Sequence, residues 1–183
     1  MGPPDNVLAE AVPLNVLLTR TETLALIVTG SLVYGNGWEF TLTVLTRTSD
    51  DQWEIDPFGY HPRAGGAGTT ADALRFGLQF ADGRKATNLG FPFGRDDEEP
   101  SAPVLIGRGG GGGGRRFEQS FWAWPLPPPG RLEFVCEWPS QGIELTRTEV
   151  DAGPIRDAAS RAQVLWPEAG GGGTISRIAL GYD

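Results

Sequence analysis

Carboxylates are the only plentiful reactive side chains in this sequence, and eight of the 23 fall in two runs. Asp50, Asp51, Glu54 and Asp56 fall in one stretch, and Asp96, Asp97, Glu98 and Glu99 in another. Spaced acidic oxygens suit Ca²⁺, which takes six to eight oxygen ligands. The first run is the better candidate because its acids are spaced, so Asp50, Asp51 and Asp56 are the candidate metal ligands. It lacks the internal Gly and terminal Glu of an EF-hand loop, and the alternative is a solvated acidic loop. A facing pair of carboxylates would also suit glycoside hydrolysis, which needs two acids at a set separation.

The remaining chemistry is sparse. His61, the single His, sits in Tyr60-His61-Pro62 with no nucleophile and orienting partner beside it, as a general base requires. Cys136 is the single Cys, which excludes an intrachain disulfide and a Cys-rich zinc site. It stands in an apolar alternation and reads as a buried thiol. Gly109 to Gly114 is an uninterrupted glycine run, but Arg115-Arg116 and a strand follow it where a phosphate-binding loop needs Lys and a helix. No catalytic residue and no cofactor is therefore expected. Trp122, Trp124 and Trp53 are the candidate residues for a ligand or partner surface, since exposed aromatics rimmed by polar groups mark interaction sites. The corner Pro125-Leu126-Pro127-Pro128-Pro129-Gly130 matches proline-helix ligands in composition, yet tight flanking strands make it a stiff turn.

The elements that would position these residues are mostly strands. Phe117 to Trp124 and Leu132 to Trp138 read as two strands folded back on each other through the proline corner. Leu132, Phe134, Cys136 and Trp138 share one face of the second. On the first, Phe117, Gln119, Phe121 and Ala123 oppose Glu118, Ser120, Trp122 and Trp124, so at least one of these faces is core. The clearest hairpin runs from Leu24 to Tyr34, turns at Gly35-Asn36-Gly37, and returns with Trp38, Phe40, Leu42 and Val44 on one face. Leu74 to Phe80 alternates and turns at Asp82-Gly83 into Arg84 to Asn88. Val16 to Leu18, Val104 to Ile106 and Ile143 to Val150 add short strands.

Residues 48–71 and 91–103 read as loops, the first long enough to be functional. The glycines of 109–114 lose much backbone entropy on ordering and read as a mobile surface loop, as do those of 170–173. Asp151 to Trp166 carries apolar residues at helical spacing, with Pro154 in its first turn and Pro167 as its stop. Strands joined by turns, without alternation of strand and helix, predict one antiparallel β-sandwich domain with a C-terminal helix; a jelly-roll is the alternative.

Composition sets the outer limits. The 183 residues suit one domain, with 39% apolar content and a net charge of −8. Acids exceed bases in both halves, so no basic face favours nucleic acid or anionic membranes. No leader pattern and no apolar run of about 20 residues occurs, which gives a cytoplasmic expectation. Lys85 is the only Lys among fifteen basic residues, a sign of GC-rich coding.

The segments LRFGLQFADGRKATNLG (74–90) and FWAWPLPPPGRLEFVCEWPSQGIELTRTEVD (121–151), with WPLPPPGRLEFVCEWP at the heart of the second, resemble a group of functionally unassigned proteins from high-GC actinobacteria. The likeness covers about a third of the chain and implies no activity. The functional expectation is a non-enzymatic module that binds a protein partner or itself through an edge strand or an aromatic patch. A carbohydrate or small-ligand sandwich using Trp53 and the Asp50–Asp56 run, with or without calcium, is the alternative. A carboxylate hydrolase comes third.

Overall fold

The computed structural model describes residues 2–48, 57–58, 73–89 and 103–166. Its strands are β1 (Val7–Leu8), β2 (Glu10–Ala11), β3 (Asn15–Arg20), β4 (Leu24–Val33), β5 (Trp38–Thr46), β6 (Arg75–Phe80), β7 (Lys85–Thr87), β8 (Val104–Gly113), β9 (Arg116–Trp124), β10 (Arg131–Trp138), β11 (Ile143–Asp151) and β12 (Gln163–Val164), with one helix, α1 (Gly153–Ala159). All strand pairs are antiparallel. A six-stranded sheet runs β2-β4-β5-β9-β8, with β3 also on β4, and a four-stranded sheet runs β11-β10-β6-β7. No helix of the described residues is long and apolar enough to cross a membrane.

The two sheets enclose one core, which makes the fold the expected sandwich. Period-two alternation supplies it. Trp38, Phe40, Leu42 and Val44 of β5 and Phe117, Phe121 and Ala123 of β9 face Phe76, Leu78 and Phe80 of β6 and Leu132, Phe134, Cys136 and Trp138 of β10, all buried. Phe40, Phe76, Phe121 and Phe134 form the central knot, with ring centroids 5.5 Å apart for Phe76–Phe121 and 5.6 Å for Phe40–Phe134. Each such pair adds about 0.5–1.5 kcal/mol beyond area burial. Asn88 closes one end of β6 like a strand: its side chain accepts from Phe76 N at 2.8 Å and donates to Leu74 O at 2.9 Å.

Three expectations are corrected. The strands flanking the proline corner do not pair: β9 lies between β5 and β8, and β10 between β6 and β11, so the corner carries the chain from one sheet to the other. The alternation of each strand was legible, but an alternating strand does not name its neighbour. The second correction is the glycine run, where Gly109–Gly113 are strand rather than loop and only Gly114 turns, with φ 63°. Alternate glycines there lie against the backbone of β9, where a side chain would not fit. In the third, the helix ends at Ala159, because the following residues turn back to the N-terminus: β12 pairs with β1, and Leu165 N donates to Asn6 O at 2.8 Å.

Candidate functional site

The outer face of the six-stranded sheet carries an open trough of about 610 Å³, lined by Thr29, Gly30, Thr41, Ser120, Glu118, Arg116 and the glycines 109–113. Strand register explains its floor. Thr29 pairs with Thr41, and Thr41 with Ser120, so these hydroxyl residues form a row across β4, β5 and β9 at steps of about 4.8 Å. The Thr41 and Ser120 hydroxyls hold no hydrogen bond among the described residues, whereas Thr29 Oγ1 lies 3.4 Å from Thr43 Oγ1. Thr43, fully buried, reaches Glu118 Oε1 at 3.5 Å. The same Oε1 accepts from Arg116 Nη2 at 2.6 Å and Arg116 Nε at 2.9 Å. That pairing compensates the Glu118 charge and leaves Oε2 without a hydrogen bond among the described residues.

The trough is open on one side because β8 has no side chains there. Gly111 and Gly113 pair with Glu118 and Arg116 and point to the trough, and a Cβ on Gly109, Gly111 or Gly113 would meet nothing within 4 Å. Gly110 and Gly112 point the other way, where a Cβ would come within 2.6 Å of Glu118 O and 2.5 Å of Arg116 O. A bulge between Gly107 and Gly110 puts Arg108 and Gly109 outside the ladder. Buried Gln119 bridges it: its Nε2 donates to Gly109 O at 3.2 Å and to Ser120 O at 2.9 Å.

Strand β8 is also a sheet edge, and it differs from the other edges. The edge strand β11 presents Glu144, Arg147, Glu149 and Asp151, and β7 is a three-residue strand that begins with Lys85. On the opposite side of the six-stranded sheet, β3 is bulged, and Thr148 Oγ1 of β11 donates to Leu18 O at 3.3 Å, closing that side of the sandwich. Natural edges are blunted by such charges, bulges, shortness or cover. Beyond its bulge, Gly109–Gly113 has no charge and no Pro, and among the described residues nothing pairs with its outer side.

The aromatic candidates fare unevenly. Trp122 and Trp124 do share the outer face of β9, but Trp122 is fully buried. Tyr34 covers it edge-on at 5.6 Å, and a Cβ on Gly37 would strike its ring at 2.5 Å. Trp122 therefore offers no face to a ligand, and Trp124 is half-buried. Among the described residues the most exposed Trp is Trp166, and Leu8, Val164 and Leu165 near the β1–β12 pair are exposed as well. Trp53, Asp50, Asp51, Glu54, Asp56, His61, Asp96 to Glu99 and the glycines of 170–173 lie outside the described residues. Among the described residues no group of three or more His, Cys, Asp or Glu is placed to hold a metal. Cys136 is buried as expected, and burial pushes its thiol up to about 11.

The trough and the glycine edge were not singled out in the sequence. The available signal was the glycine run itself: in a strand, glycine marks a bulge or a close approach of backbones. Comparison with known proteins finds no matching family model, curated protein or solved structure.

Proposed function

We propose that this chain is a binding module that takes an extended segment of a partner protein as an added strand along Gly109–Gly113 of β8. The observation that carries it is the contrast among edges: charge, shortness or cover blunts the others, and among the described residues the glycine edge is bare. Main-chain hydrogen bonds supply affinity in this mode. The bare edge also fits a segment of any side-chain size, since β8 contributes nothing to clash with.

A second copy of the chain is a poorer occupant than a different protein. Antiparallel self-pairing centred on Gly111 sets Arg108 of each copy opposite Gly114 and beside Arg115. Arg108 is about half exposed and Arg115 is exposed, so like charges would meet at both ends. An acidic or neutral extended segment meets no such penalty.

The test is a selection of random peptides displayed against the full chain. Two variants locate the binders. Gly111→Lys and Gly113→Lys each place a charge on the edge strand where a side chain meets nothing within 4 Å. Both are expected to abolish binding, while Glu149→Ala on β11 leaves it intact. Binders indifferent to both β8 variants, or a library that yields none, overturn the reading.

A further inference from the structure

The trough deepens that reading, on which this inference rests. We infer that the partner segment carries aromatic residues, tyrosines above all, at alternate positions facing the trough, with acidic residues at its ends. A strand added to β8 runs about 4.8 Å beyond it and about 10 Å from β9. On an ordinary sheet the side chains of β8 would stand between them. Here Gly109, Gly111 and Gly113 leave that row empty, and the trough extends over it to Ser120 and Glu118.

Three features select the occupant of that row. Bare glycine backbone in a strand is stabilised by an aromatic ring laid across it from the neighbouring strand. The far wall carries the Ser120 hydroxyl and Glu118 Oε2 on β9, within reach of a phenol and free to bond it, so a tyrosine fits better than a phenylalanine. The Glu118 charge is compensated by Arg116, which removes the pull on a lysine. Charge selects the flanks: Arg108 lies at one end of the glycine row and exposed Arg115 at the other, in a chain whose net charge is −8. Arg108 meets its partner Glu39 only at 3.6 Å, and its side chain is 44% exposed, so it can turn to an acidic residue of the partner.

The experiment measures binding of synthetic peptides to the full chain by fluorescence anisotropy. The reference peptide is Glu-Thr-Tyr-Thr-Tyr-Thr-Tyr-Thr-Glu; one variant replaces each Tyr by Val, and another replaces each Glu by Lys. The Tyr peptide is expected to bind about tenfold more tightly than the Val peptide, as two cross-strand aromatic contacts imply. The Lys-ended peptide should bind several-fold more weakly than the reference at low salt, the gap closing at high salt. Gly111→Val, which fills the empty row, should erase the Tyr preference. Equal binding of the Tyr and Val peptides, both lost when the Thr amides of the peptide are N-methylated, overturns this inference and leaves strand addition standing. Binding that survives N-methylation of the Thr amides overturns strand addition itself.

Discussion

Gly112 lies directly over Phe117 in the neighbouring strand: a Cβ on Gly112 would approach the Phe117 Cα to 2.7 Å and its Cδ1 to 2.9 Å. Its neighbour Gly111 has open space on the other side. The two glycines should therefore respond oppositely to alanine. Gly112→Ala is expected to cost about 1–3 kcal/mol through overpacking. Gly111→Ala should stabilise by about 0.4–1 kcal/mol, because it restricts the unfolded chain without a clash. Urea denaturation of both variants checks the pair. Equal effects would mean that the glycine row is not a regular strand.

Cys136 predicts a pH dependence. Its thiol is held neutral in the core and rises to about 11, above the ordinary 9.0. A folded-state value above the unfolded one means stability that is complete below pH 9 and is lost as pH rises toward 11. Between pH 8 and pH 10.5 the wild type should lose about 2 kcal/mol more than Cys136→Ala does. Chemical denaturation at pH 8 and pH 10.5 measures it. The same burial predicts that thiol reagents label the native protein only as fast as it opens.

Ser31 is buried and its hydroxyl finds no partner among the described residues. Replacing an unsatisfied buried hydroxyl by a methyl removes a desolvation cost. Ser31→Ala should be neutral or stabilise by up to about 1 kcal/mol, read from the shift in denaturation midpoint. A loss of 1 kcal/mol or more would show that the hydroxyl is bonded in solution.

Asn88 makes the opposite case. Its side chain is the hydrogen-bond partner of both Phe76 N and Leu74 O, so Asn88→Ala strands two backbone groups at the edge of the core. The expected cost is about 1–3 kcal/mol. Asn88→Asp keeps the acceptor and loses the donor, and should fall between the two.

What the sequence made legible was local. The faces of Trp38–Val44, Phe117–Ala123 and Leu132–Trp138 follow from period-two alternation, and the core has those residues inside. The Gly35-Asn36-Gly37 and Asp82-Gly83 turns joined the strands they were expected to join. Pairing across the proline corner was not legible, because Phe134 pairs with Leu78 and Thr148 rather than with the strand just before it. Glycine propensity misled at 109–113, where close approach to the β9 backbone outweighs the entropy of ordering. The trough was hidden for the same reason: Thr29, Thr41 and Ser120 are far apart in sequence and meet only through register.

The most direct test of the account is amide hydrogen exchange at Gly109–Gly113, followed by NMR in the free protein and with the Tyr peptide bound. An antiparallel edge strand alternates amides bonded inward with amides facing solvent. In the free protein every second glycine amide should exchange fast, and on binding those amides should become slow while amides of β11 do not change. Uniformly fast exchange in the free protein, or protection that appears elsewhere on binding, would contradict the account.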